Sequence, residues 1–204
     1  MKANWVIVNP SSGSGNGSVS VSSSAEHSGR VARQTTLTIT AANVEDTLIK
    51  VNQAGKPEYV DAQDNATASK GGQVVTIIGK SNSKKLTFSL GAGNLELTLP
   101  EKYTANSVET MNGVAIAGDP GATAEYDFSI QFNVALNETI DEKTRQIVVT
   151  ADGGQTDTIT LTQTAGDAYL HVKLNGEVIT SIDLAYTGEA VSFNVESNTD
   201  WSVN

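Results

Sequence analysis

The sequence lacks cysteine altogether, is poor in aromatic and basic residues, and contains no long apolar run. Without cysteine there is no disulfide framework, no thiolate metal ligand and no cysteine nucleophile. The 13 Lys and Arg against 23 Asp and Glu give a net charge of -10, which argues against nucleic acid and anionic membranes as partners. No segment approaches the roughly 20 apolar residues of a membrane-spanning helix, so membrane insertion is not expected.

Short alternating segments dominate what is present. Apolar and polar residues alternate at 36–40, 86–90, 95–99, 128–132 and 158–162. A period of two over five residues is typical of a strand with one buried face. Turn-forming stretches such as GAGN (91–94) and DGGQ (152–155) separate these segments, and helical periodicity is weak throughout. The sequence therefore predicts an all-β fold, an antiparallel β-sandwich.

Two internal repeats organise the chain. Segments 33–55 and 145–166 share the same parts in the same order: Arg-Gln, a strand ending in Thr-Ala, a polar turn, and a strand running to Gln and Ala-Gly. Segments 71–90 and 187–204 match at a constant shift, which aligns the pair Ser81-Asn82 with Ser197-Asn198. Lys85 then stands where Trp201 stands, and NWVIVN (4–9) aligns with DWSVN (200–204) as the same strand.

A strand ending in Ser-Asn, a Trp-led strand, the turn NPSSGSGNGSVSV (9–21), an Arg and a closing Gln-x-Gly together resemble BACON domains. These are immunoglobulin-like sandwiches of Bacteroidetes surface proteins and of phages that infect those bacteria. The resemblance extends over 1–55 and 168–204 and is weaker over 56–166. It implies a non-catalytic module with a suspected role in carbohydrate binding or as a spacer.

The repeats predict one complete domain and two partial ones. Residues 56–166 hold every part of an immunoglobulin-like domain plus an insertion at 101–124. Residues 1–55 begin at the Trp strand and correspond to the C-terminal part of such a domain. Residues 167–204 correspond to its N-terminal part, so the two terminal segments are complementary halves of one domain of about 100 residues.

Three explanations of these halves remain open. The sequence is a fragment of a longer tandem array, or the halves complete each other between protomers by strand addition, or they close within one chain. If residues 190–196 find no strand partner outside 167–204, we expect a fragment rather than an assembly. The predicted assembly interface consists of Trp5, Val6, Val8, Val191, Phe193, Val195 and Trp201.

No motif predicts a catalytic site, a metal site or a cofactor. GSGNG (13–17) lacks the lysine and the following helix of a phosphate-binding loop. DGGQTD (152–157) is the best candidate for a calcium-binding loop, but a hairpin turn is the favoured interpretation. The two tryptophans share one repeat position, which favours core packing over sugar stacking. Tyr103, in the insertion, is the candidate for glycan contact, with a packed edge strand as its alternative.

The expected function is that of a structural and interaction protein, not an enzyme. Residues 1–5 show no apolar leader and no lipoprotein cysteine. Because virion proteins assemble in the cytoplasm, we expect a component of a phage virion surface, a capsid decoration or fibre. Its partners would be other protomers or other virion proteins, and host glycans are further candidates. The alternative is a bacterial cell-surface module that binds carbohydrate or acts as a spacer.

Overall fold

A computed structural model describes residues 2–204 and consists almost entirely of β-strands. None of the helical segments among these residues has the length and apolar character that a membrane-spanning helix requires. In chain order the strands are β1 (Val6–Asn9), β2 (Ser20–Ser23), β3 (Arg33–Ala41), β4 (Val44–Gln53), β5 (Val60–Ala62), β6 (Asn65–Ala68), β7 (Gln73–Ser81), β8 (Leu86–Gly93), β9 (Lys102–Ala105), β10 (Val108–Met111), β11 (Tyr126–Val134), β12 (Lys143–Ala151), β13 (Thr156–Gln163), β14 (Leu170–Leu174), β15 (Glu177–Val178) and β16 (Asn194–Ser197).

The central strands form a two-sheet sandwich. One sheet has the order β10-β9-β11-β7-β5 and the other the order β6-β13-β12-β8. Consecutive strands β5 and β6 lie in opposite sheets, and β6 runs parallel to β13 while the other pairs are antiparallel. This arrangement matches the ABED and CFG sheets of an immunoglobulin domain. The predicted all-β sandwich is confirmed, with one parallel pair that the prediction did not include.

One core fills this sandwich, and it lies between residues 62 and 161. Strand β11 shows the sequence pattern behind it, because alternate residues from Tyr126 to Val134 are buried. The ring of Phe88 packs against Phe128 edge to face, with centroids 5.8 Å apart. The largest fully buried apolar side chains of this core are Phe88, Phe132, Ile77, Leu86, Ile130, Ile147, Ile159, Leu161 and Val149.

The two terminal segments form small separate sheets. Strands β1 and β2 make one hairpin, β3 and β4 make another, and β14 pairs with β15 and β16. In the described part of the chain no strand of 167–204 pairs with a strand of 2–55. Ile49 and Phe193, which closure within one chain would cover, are 43% and 40% exposed, so this one of the three explanations is wrong. Within residues 2–204 strand β16 pairs with β14 alone, which is the outcome expected above for a fragment. The other edge of β16 is open, and its pairing with a second copy stays a prediction.

The insertion at 101–124 adds the β9–β10 hairpin to the first sheet. Its turn consists of Asn106 and Ser107, both at positive φ (49° and 64°), as a two-residue type I′ turn requires. Asn112-Gly113, a pair typical of two-residue hairpin turns, forms the turn that follows β10 instead. The side chain of Asn112 accepts a hydrogen bond from Phe88 N at 2.7 Å and donates one to Phe88 O at 3.0 Å.

Candidate functional site

The Ser-Asn pair at the end of β7 joins the N-terminal segment to the central sandwich. The buried side chain of Asn82 accepts a hydrogen bond from Tyr59 N at 3.0 Å. Its amide nitrogen lies 3.2 Å from Ser28 O, 3.3 Å from Lys56 O and 3.2 Å from Pro57 O. One side chain thus connects a loop of the first segment, the linker and the central domain. Buried amides of this kind fix geometry, because an unpaired partner is costly.

The insertion reinforces this first junction. The guanidinium of Arg30 donates to both carboxylate oxygens of Asp119, at 2.7 Å for Oδ1. This hydrogen bond lowers the pKa of Asp119 below its ordinary value of 3.8. Backbone contacts continue the interface, since Arg30 N donates to Gly121 O at 2.9 Å and Val31 N to Ala122 O at 3.0 Å. The inserted segment therefore clamps the preceding segment onto the sandwich.

The second junction repeats the first around Asn198. Its side chain accepts a hydrogen bond from Tyr169 N at 3.0 Å and donates to Glu138 O at 2.9 Å and Asp167 O at 2.8 Å. The preceding serines also match, because Ser81 Oγ donates to Tyr59 O and Ser197 Oγ donates to Tyr169 O. The aligned Ser-Asn pairs are thus the structural element that positions one repeat on the next. The sequence repeat identified these residues but not this role.

The terminal segments leave faces open that the central domain buries. Ile159 in β13 is fully buried, whereas its repeat counterpart Ile49 in β4 is 43% exposed. Likewise Ile77 in β7 is fully buried, and its counterpart Phe193 is 40% exposed. In each case the sheet that would cover the side chain is missing from that segment. Both ends of the chain therefore present apolar surface on an incomplete sandwich.

The residues of the predicted assembly interface divide into two groups. Val191, Phe193 and Trp201 are exposed, and Val195 is half-buried. Val6 is already buried within the chain, and Val8 is half-buried. Their role in assembly stays a prediction.

Neither tryptophan lies in a core of the single chain. Trp5 is half-buried, with the guanidinium carbon of Arg33 4.5 Å from its ring centroid. Trp201 is 54% exposed. The prediction of core packing for both rings is thus wrong for the single chain, because the opposing sheet that would cover them is absent from each segment.

Tyr103 is a core residue, and its predicted role as a glycan contact is wrong. Its side chain is 3% exposed, and its ring packs against Phe88 with centroids 5.1 Å apart. Burial raises the pKa of its hydroxyl, which accepts a hydrogen bond from Leu86 N at 3.3 Å. A sugar ring stacks only on an accessible aromatic face. The alternative prediction, a packed edge strand, is the one that the structure supports, because β9 turns this side chain inward.

Clustered acidic side chains could serve metal binding or acid–base chemistry. Among residues 2–204 no group of three or more His, Asp or Glu side chains could hold a metal ion. A shallow depression on the outer face of β5, β7 and β11 contains Asp61 and Asp127. The ammonium of Lys80 lies beside them, 4.0 Å from an Asp127 oxygen, and the Asp127 side chain is almost fully exposed. Glycosidase carboxylates work in an enclosed cleft, which this surface does not provide.

The fold defines the central domain as an immunoglobulin-like sandwich, and a family model matches the N-terminal segment. Residues 2–54 match the family BACON, described as "Putative binding domain, N-terminal". The predicted BACON resemblance is thereby confirmed for this segment, and a binding or spacer module is what the family indicates. No curated protein matches the chain.

A solved structure of another protein also matches the chain. An NMR structure of a protein from Bacteroides thetaiotaomicron is 15% identical, and the alignment covers 54% of this chain and 89% of that one. Its TM-score is 0.27, which supports no structural conclusion.

Proposed function

We propose that this chain is a non-catalytic structural and interaction protein whose copies join end to end. In each contact the C-terminal segment of one copy, residues 167–204, completes the sandwich begun by residues 2–55 of another. The observation that carries this proposal is the complementarity of the two open segments. Each holds the strands that the other lacks, and each exposes the apolar face that those strands would cover.

The pairing registers support this correspondence. In the central domain Val60 of β5 pairs with Ser81 of β7, and in the C-terminal segment Leu170 of β14 pairs with Ser197 of β16. Strands β14 and β16 thus reproduce the β5–β7 pair of the first sheet.

The N-terminal segment supplies strands of the opposite sheet. The β3–β4 register, with Leu37 opposite Ile49, reproduces the β12–β13 register, with Ile147 opposite Ile159. One sheet from each segment gives the two layers of a complete sandwich. Exposed sheet edges and apolar faces readily accept such strands.

The oligomeric state of the intact chain tests the proposal. We expect analytical ultracentrifugation of the wild-type chain to show concentration-dependent multimers. Phe193→Asp should weaken association by about tenfold or more, because losing the burial of a phenylalanine costs about 1.5–3 kcal/mol and 1.4 kcal/mol is tenfold. Ile78→Asp is the matched control, since Ile78 is exposed on the outer face of the complete sandwich. A wild-type chain that stays monomeric at all accessible concentrations would contradict the proposal.

The place of display is a further part of the proposal. The BACON match over residues 2–54 supports a module that binds or spaces. Beyond that match, we propose display on a virion surface, because the domains that the sequence resembles also occur in phages of Bacteroidetes. Mass spectrometry of purified virions tests this placement, and detection of the chain only in bacterial envelopes would refute it. A bacterial carbohydrate-binding or spacer module is the alternative, which measurable sugar affinity of the chain would favour.

A further inference from the structure

Strand β2 occupies the chain position that β11 occupies in the central domain. Residues 24–32 separate β2 from β3, and residues 135–142 separate β11 from the equivalent strand β12. Val19 directly precedes β2 and Val21 lies within it, and the two are spaced as Phe128 and Ile130 are in β11. Both valines are exposed. Strand β1 in turn corresponds to β8, because Trp5 aligns with Trp201 and therefore with Lys85.

The pairing of β2 differs from that of β11. In the complete sandwich β11 pairs with β7 and β9, whereas β8 lies in the opposite sheet beside β12. In the N-terminal segment β2 pairs with β1, with Val8 opposite Val21 and Val6 opposite Ser23. Two strands that a complete domain assigns to opposite sheets are here joined in one hairpin. Strand β1 thus occupies the edge of β2 along which a counterpart of β7 would pair.

We propose that the β1–β2 hairpin is a resting pairing, and that residues 189–197 of a second copy dock along β2 when it separates from β1. This inference rests on the proposed end-to-end assembly and names the docking strand within it. On docking, β2 takes the place of β11 beside the incoming β7 counterpart. Strand β1 then pairs with β3 as β8 pairs with β12, which brings Val8 opposite Ile39.

The exchange replaces a weak ladder with a longer one. The β1–β2 ladder aligns four residue pairs, and every residue of β2 is exposed. The β7–β11 ladder of the central domain aligns nine pairs and buries alternate residues of β11. Pairing of two strands alone is marginally stable in water. Val6 of β1 is buried, but β2 contributes no buried side chain, so separating β2 from β1 costs little. The second copy supplies both the longer ladder and the apolar cover.

A reversible disulfide across the hairpin tests the exchange. The chain contains no cysteine, so Val8→Cys with Val21→Cys introduces one bridge between opposed residues. We expect the oxidised variant to remain monomeric and the reduced variant to associate like the wild type. The control is Thr36→Cys with Lys50→Cys, an opposed pair of β3 and β4 that the docked state retains, which should associate in both redox states.

A cross-link between copies gives a positive readout that leaves the interior untouched. When Val21 is placed at the position of Ile130, Ser20 falls at the position of Ser129. In the central domain Ser129 pairs with Ile78. The repeat counterpart of Ile78 is Asn194, so Ser20 should lie opposite Asn194 of the second copy. Mixing Ser20→Cys chains with Asn194→Cys chains should therefore yield a covalent heterodimer on oxidation.

The outcomes separate the two proposals. The exchange would be overturned if the wild type associates but the Ser20–Asn194 cross-link does not form. It would also be overturned if the oxidised Val8–Val21 variant associates as strongly as its reduced form. Either result would leave the proposed end-to-end assembly standing. A monomeric wild type would overturn both.

Discussion

Ile159 and Ile49 provide a matched test of how far each segment is packed. They are the same residue at the same repeat position, one fully buried and the other 43% exposed. Replacing Ile159 by Ala removes three buried carbons, about 2.4 kcal/mol at ~0.8 kcal/mol per carbon. The cavity left between two sheets adds to this and places the expected loss within the usual range of about 2–5 kcal/mol. For Ile49→Ala the exposed fraction limits the loss to about 1.4 kcal/mol, and no enclosed cavity forms.

Urea denaturation followed by far-ultraviolet circular dichroism measures both variants. We expect the midpoint of the main transition to fall clearly for Ile159→Ala and to change little for Ile49→Ala at low protein concentration. At concentrations where copies associate, Ile49→Ala should also weaken the multimer, because the proposed assembly would bury this side chain. Equal losses for the two variants in dilute solution would refute the reasoning, since they would mean that Ile49 is already enclosed.

Two further predictions concern the junctions. The hydrogen bond from Arg30 lowers the pKa of Asp119 in the folded protein. Their ion pair therefore stabilises the first junction fully at pH values above 3.8, the ordinary pKa of this carboxyl group. The stabilisation is lost as the pH falls through the lowered pKa of the folded state. Both test chains carry Trp201→Phe, so that Trp5 is the single fluorescent tryptophan. Acid titration of this fluorescence should show the loss when Asp119 is present and should not show it when Asp119→Asn is added. Asn82→Ala should cost about 1–3 kcal/mol of unfolding free energy, because it leaves buried groups such as Tyr59 N without a partner. Asn198→Ala should cost less, since Asn198 is only half-buried, and an equal or smaller loss for Asn82→Ala in chemical denaturation would contradict this.

Alternation along the sequence predicted the sandwich, and four of the five alternating segments lie in strands. The strand predicted at 95–99 is wrong, because this segment lies between β8 and β9 outside any strand, although Leu95 is buried. Segment 128–132 alternates strictly, and β11 buries the residues that the pattern selects. The pattern did not predict that β6 would pair in parallel with β13, because strand order depends on long-range packing. It also missed the turn at Asn106-Ser107, since this pair lacks the glycine that usually marks a two-residue hairpin.

The candidate site was predictable only where the sequence repeats. The aligned Ser-Asn pairs were visible in the sequence, but a repeat does not show which carbonyls an amide will reach. The pairing of Arg30 with Asp119 joins residues far apart in the chain and has no local signal. Tyr103 was misassigned because insertions often lie on the surface, whereas β9 extends a sheet and buries alternate residues. Local patterns give strand faces, but tertiary contacts decide burial.

The form of any assembly follows from the two ends. Residues 2–55 and 167–204 are different surfaces, so a contact between them is heterologous and leaves one free end of each kind on the growing complex. Growth then continues unless the rotation at each contact closes a ring. The junctions around Asn82 and Asn198 fix the orientation of successive domains, and a newly completed domain would follow the central one through the Asn198 junction. In the proposed assembly, repeated addition at a fixed orientation would give an open filament of identical repeats, a geometry suited to a spacer or fibre.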